Sequence, residues 1–153
     1  MKRLLSIILI FIMLCSLLVS CGSEVRAYKI LKEFITVYGA EGTIYSPEIA
    51  EGNEGYIPLG LIEKMYLFSG DFPENYAIFI NPYTSDFSEC AVFVCDDADT
   101  LSAIVEACFE RIRLLTGEGD RAFVKMNGNV VFYSTMRDRK RAEIIWREII
   151  RKY

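Results

Sequence analysis

The sequence predicts an α+β domain of two layers. A mostly antiparallel four-stranded sheet carries helices packed on one face, in the order α-α-ββ-α-ββ-α, after a cleaved signal helix. Three observations lead there. Asn127-Gly128 stands between RAFVKM and NVVFYS, and Asn-Gly between alternating strands is the strongest short hairpin signal. ECAVFVC, residues 89–95, is short, apolar on both faces and rich in Val and Phe, as a central strand is. Each pair of strands is followed by a stretch with helical apolar spacing, which favours hairpins covered by helices.

The elements follow in order. Residues 24–38 place Ala27, Ile30, Leu31, Phe34, Ile35 and Tyr38 on one helical stripe, with Ser23 as N-cap and Gly39 as terminator. Residues 39–55 read as loop, broken by glycines and Pro47. Residues 58–67 suggest a short helix with Leu61, Ile62, Met65 and Tyr66 facing inward. YAIFI, 76–80, and residues 89–95 are the first two strands. The next helix, led by Asp96-Asp97-Ala98-Asp99, buries Leu101, Ile104, Val105, Cys108, Phe109, Ile112 and Leu115. The Asn-Gly hairpin comes next. A last helix over about 138–152 turns Ala142, Ile145, Trp146, Ile149, Ile150 and Tyr153 inward and leaves Ile144 outside.

The N-terminus gives an address. Met1-Lys2-Arg3 is positive, and Leu4 to Val19 is nearly all apolar. Sixteen residues make ~24 Å of helix, short of the ~20 residues of a stable span, so the pattern is that of a secretory signal. Leu18-Val19-Ser20-Cys21 resembles the bacterial lipobox. The resemblance implies cleavage between Ser20 and Cys21, a diacylglyceryl thioether on Cys21, and residence on the extracytoplasmic face of a bacterial cell membrane. Two acyl chains make an anchor that persists where one does not. The expected organisation is a signal peptide over 1–20, a lipidated N-terminus with first helix and acidic loop over 21–55, and an α+β domain over 56–153.

Composition sets limits. Residues 21–100 hold 14 acidic and 4 basic residues, net −10, and residues 101–153 hold 7 acidic and 11 basic, net +4. This is a dipolar surface and not a nucleic-acid footprint. No histidine is present, which excludes Ser-His-Asp and Cys-His catalysis and HExxH metal sites. Cys90, Cys95 and Cys108 lack a CxxC spacing. Cys90 and Cys95 fall on opposite faces of one strand ~16 Å apart, so the three read as small buried hydrophobes, although Cys108 could meet either of the others.

Several residues carry a resemblance. Glu63-Lys64-Met65-Tyr66, Tyr76-Ala77, Glu89-Cys90-Ala91-Val92, Arg111 and Gly128-Asn129-Val130-Val131 occur in this order. Over roughly residues 60–152 the chain resembles the domain-of-unknown-function 4358 family, small lipoproteins found mainly in Gram-positive anaerobic bacteria. The likeness implies export and an α+β fold, with no established activity. The second strand of that family tends to run on into a lysine, where this chain has Cys95 and Asp96.

The functional expectation is a lipid-anchored binding or interaction module, with no cofactor, no metal and no catalytic residue. Its partners would be the membrane, through Cys21, and an envelope protein or small ligand, with no nucleic acid. The candidate binding surface is the acidic loop: Tyr45, Glu48, Glu51, Glu54 and Tyr56, whose spacing is not that of an EF-hand. An alternative is a ligand, glycan or peptide binder with a groove lined by Phe72, Tyr76, Tyr83, Phe87 and Tyr133, and the 39–55 loop as its lid. A third is an enzyme using Glu63, Asp71 or Glu74. Asp96, Asp97 and Asp99 suit a helix N-terminus better than a metal. Arg137, Arg139, Lys140 and Arg141 form a basic entry to the last helix that could face anionic headgroups or wall polymers.

Overall fold

The computed structural model of the chain describes residues 25–68, 70–82, 88–117 and 121–153. The expected signal peptide, Ser20, Cys21, Ser23, Tyr83 and Phe87 lie outside the described residues, and the N-cap position of the first helix falls on Arg26, not on Ser23.

The element order is α1 (Ala27–Tyr38), β1 (Thr43–Tyr45), α2 (Leu59–Met65), β2 (Asn75–Asn81), β3 (Ser88–Val94), α3 (Ala98–Thr116), β4 (Phe123–Asn127), β5 (Val130–Ser134) and α4 (Arg139–Ile150). The α+β class holds. Among the described residues the sheet has five strands, not four, ordered β1-β2-β3-β5-β4 and antiparallel throughout. The added strand, β1, lies in the stretch expected to be loop and pairs Thr43 with Ile80 and Tyr45 with Ile78. Three residues are too few to show an alternation.

Helices cover both faces of the sheet, which corrects the two-layer expectation. Ala77, Phe79, Cys90, Val92, Val94, Val130 and Phe132 pack with the stripes of α1 and α4. Their neighbours in sequence, Tyr76, Ile78, Ala91, Phe93, Cys95, Val131 and Tyr133, pack with α2 and α3. The reason is visible in β3 and β5, where every residue is buried. A strand apolar on both sides needs cover on both.

Local details follow the same logic. The α1 stripe is buried as its spacing predicts, and Gly39 closes the helix in the left-handed region. Its N-terminal cap comes from far along the chain: the Asn75 side chain accepts from the Ala27 N–H at 2.9 Å and donates to the Val25 carbonyl at 2.7 Å. In α2, Ile62 and Tyr66 face inward as expected, but Leu61 is exposed. In α3, Phe109 is exposed and Ala107 takes the inward place. Asp97 caps α3 by accepting from the Thr100 N–H at 2.8 Å. The β4–β5 hairpin pairs Asn127 with Val130, so the turn residues are Gly128-Asn129, one position later than expected. Gly128 has φ of 58°, the positive value that a type II′ hairpin requires at its first central position. In α4 the inner face and the outward Ile144 are as predicted.

Candidate functional site

The strongest polar constellation lies beneath the surface, between sheet, α2 and α3. Glu89 is the second residue of β3, with its side chain on the same face as Ala91 and Phe93, and it is fully buried. A carboxylate there needs a countercharge and hydrogen bonds. Arg111 of α3 supplies a fork: Nε donates to Oε1 at 2.9 Å and Nη2 to Oε2 at 2.6 Å. This bidentate geometry is the strong form of the pair. Nη1 reaches the Met65 carbonyl at 3.3 Å, and the guanidinium lies 5.8 Å from the Tyr66 ring centre.

Two phenols complete the cluster. Tyr133 of β5 donates to Glu89 Oε1, and its hydroxyl lies 2.7 Å from that of Tyr66. Each phenol has one proton. With Tyr133 donating to the carboxylate, Tyr66 donates to Tyr133, and its 3.3 Å approach to Oε1 is the second-best contact. Burial, and then the negative Glu89, push both phenols well above their usual range. Burial opposes the charge on Arg111, but the Glu89 carboxylate outweighs it and holds the guanidinium above its ordinary value. The backbone is tied in as well. Thr135 Oγ1 accepts from the Glu89 N–H at 2.9 Å, and the Thr135 N–H donates to the Glu89 carbonyl at 2.8 Å. Among the described residues, no buried side-chain nitrogen or oxygen lacks a partner. The cluster joins β3, β5, α2 and α3 through charge-assisted bonds that turn away from solvent.

Sequence reasoning did not assemble this cluster, although a signal was present. Glu89 shares a strand face with Ala91 and Phe93, and Arg111 falls one turn beyond Cys108 on the α3 stripe. A charge on each of two buried faces implies that they meet.

The acidic loop does not converge on a site. Tyr45 lies in β1 against the sheet core, and Tyr56 is half-buried. Glu54 accepts from Thr43 Oγ1 at 3.2 Å, Glu48 lies 3.9 Å from Arg26, and Glu51 is exposed. The loop is closed at its base by a bond from the Ser46 N–H to the Gly55 carbonyl, 3.2 Å. Gly55 is buried with φ of 92°, and a Cβ there would run into the Ile44 carbonyl and the Ile49 side chain. Among the described residues, no three His, Cys, Asp or Glu side chains are grouped to hold a metal ion. The expected aromatic groove is filled. Phe72, Tyr76 and Tyr133 are buried, and Phe72 meets Tyr76 and Phe93 edge-on at 5.3 and 5.7 Å.

Open clefts lie elsewhere. One of about 380 Å³ gathers Glu63, Asp71, Glu74, Asp96 and Asp97, and so brings together the three carboxylates singled out from the sequence. Asp97 is held below the usual carboxylate range by the backbone and then the hydroxyl of Thr100. A second cleft, about 300 Å³, joins Arg26 and Glu48 to Glu74 and Asn75. A third, about 640 Å³, runs along α2 past Leu61, Lys64, Leu67 and Phe68. Leu67 stands in the left-handed region with φ of 52° and is exposed.

The three thiols are free and buried. Burial first, and then Glu89, raise Cys90 well above its usual range; for Cys108 burial is followed by Cys95 and Glu89. Burial and Asp96 push Cys95 up to about 11. Thiols held protonated are poor nucleophiles. No family model matches the chain, and no curated protein or solved structure matches it.

Proposed function

We propose that the chain is a lipid-anchored extracytoplasmic module that works by contact, with its lipid on Cys21 and its domain held close to the bilayer. The observation that supports this reading is the Asn75 clamp on Val25 and Ala27. Val25, the first described residue, stands four positions after Cys21. At ~3.5 Å per residue the lipidated cysteine lies within ~14 Å of Val25. A tether this short positions a domain; it does not let it roam. The interior supports contact over bond-making, because the groups of the Glu89 cluster are engaged with one another. Among the described residues, no helix is long and apolar enough to cross a membrane.

The test is metabolic labelling with palmitate in a bacterial host, comparing the natural chain with Cys21→Ser. Label on the natural chain alone, recovered with membranes, is the expected result. An unlabelled natural chain would overturn the anchor. A second reading, a binder of a small apolar ligand or peptide side chain, is supported by the groove beside Leu61, Leu67 and Phe68. Native mass spectrometry of the purified full chain tests it, through the presence or absence of retained mass.

A further inference from the structure

We infer that the domain stands with an acidic end toward the bilayer and a basic end outward, and that Arg137, Lys140 and Arg141 at the outer end bind an anionic polymer of the envelope. The inference rests on the anchoring reading above and adds to it an orientation and a class of partner.

The two ends are set by register. Asn75 pairs with Val94, Val94 with Val130, and Val130 with Asn127, so these residues share one end of the sheet. The Asn75 clamp brings the tether to that end. The clefts there gather Glu48, Glu63, Asp71, Glu74, Asp96 and Asp97. Arg26 is the basic residue among them, and it faces Glu48.

From the clamp, α1 runs 12 residues, ~18 Å, to the opposite end. There the Asp138 N–H donates to the Tyr38 hydroxyl at 3.1 Å. The Arg141 guanidinium lies 5.1 Å from the Tyr38 ring centre and reaches the Val37 carbonyl at 3.5 Å. The run 137–141 is thereby fixed to the far end of α1. Arg137 and Lys140 are exposed. Arg139 lies 3.2 Å from Glu143, which also faces Lys125, and the Asp138 carboxylate caps α4 by accepting from the Arg141 N–H. Among the described residues, Glu41, exposed just past α1, and Glu54, which accepts from Thr43 Oγ1 beside Ile80, also stand at this end.

The tether at the clamp sets the stance, and charge does not. Anionic headgroups repel the acidic end and attract basic residues, but only within a screening length of ~10 Å at 0.1 M salt. The basic run lies well beyond that distance from the tether. A bilayer held at the clamp end does not reach it, whereas a linear polymer of phosphates or carboxylates outside the membrane does. Such a polymer gains from displaced counterions, so its binding weakens steeply with salt.

The experiment uses the full lipidated chain in phosphatidylcholine vesicles, with long-chain polyphosphate as probe. Binding is expected, and about three phosphate contacts predict a loss of about 20- to 40-fold between 50 and 200 mM salt. The variant R137E/K140E is expected to bind at least ~10-fold more weakly, while E74Q/D96N binds as the natural chain does. Orientation is read by a fluorophore on Glu74→Cys or Arg137→Cys, since the native thiols are buried, with a quencher carried on the lipid. Stronger quenching at position 74 is expected, and it should persist when phosphatidylglycerol is added. Equal quenching at 137, or unchanged polyphosphate binding by R137E/K140E, overturns the inference. A mass spectrum showing unmodified Cys21 instead sinks the anchoring reading, and the orientation with it.

Discussion

On one face of the sheet Phe132 stacks on Trp146, ring centres 4.2 Å apart and planes 7° from parallel, and Phe34 leans on Phe132 at 4.9 Å. On the other face Phe93 and Tyr66 also meet, at 5.3 Å, but beside them lies the buried Glu89–Arg111 pair with its two phenols. The first face is held by area and shape, under the long stripes of α1 and α4. The second is covered by a seven-residue helix and by α3, and a charged pair joins what the apolar contacts of so short a helix hold less firmly. Stability from apolar area changes little with pH. Stability from a buried ion pair depends on both partners being present and charged.

The largest effect belongs to the second face. Glu89→Leu is expected to cost about 3–5 kcal/mol, because it leaves Arg111 uncompensated. The double variant with Arg111→Leu should recover most of that loss, and urea midpoints of the single and double variants decide the matter. A double variant no better than the single would mean that packing, not charge, holds this face. Next comes Ile149→Ala on the first face, expected to cost about 3 kcal/mol as a cavity with no partner to rescue it.

Alkali separates the faces further. Burial raises Tyr66, Tyr133, Cys90 and Cys108 in the fold. Above about pH 8.5 for the thiols and about pH 10 for the phenols, the unfolded chain loses protons that the native chain keeps. Stability therefore falls as pH rises, by up to about 1.4 kcal/mol per pH unit for each group. Three of the four groups are on the second face, so Tyr66→Phe should flatten the slope between pH 9.5 and 11 by about one group's share. An unchanged slope would mean that Tyr66 ionises freely. The smallest effect is a gain. Leu67 holds a left-handed conformation at the end of α2 while exposed, so Leu67→Gly should raise stability by about 0.5–1 kcal/mol in the same urea assay.

The first face was the more legible in the sequence. The stripe Ile30, Leu31, Phe34 and Ile35 and the stripe Ala142, Ile145, Trp146 and Ile149 follow the helical period, and period is what a sequence shows most directly. The second face was read less well. In α3 the inward residue is Ala107 and not Phe109. The unbroken apolar run within residues 89–95 already implied two covered faces, but the hairpin-then-helix order argued for one. Glu89 meets Arg111 22 positions on and Tyr133 44 positions on, and such contacts leave no periodic trace. Of the candidate site, Glu63, Asp71 and Glu74 do share a cleft, whereas in the acidic loop Tyr45 lies in β1, Glu54 bonds Thr43, Glu48 faces Arg26 and Glu51 is exposed.

Glu33 meets both Lys152 and Tyr153, and the stripe of α1 rests against α4. A chain emerges from the ribosome N-terminus first. The apolar side of α1 is thus among the earliest surfaces made and among the last to be enclosed, since its neighbours at 145–150 arrive more than a hundred residues later. Until then Ile30, Leu31, Phe34 and Ile35 have only the sheet residues, such as Phe79 and Phe132, to cover them. Closure is an event of the whole chain, and a stop codon just before α4 would leave a product whose first helix is covered by the sheet alone.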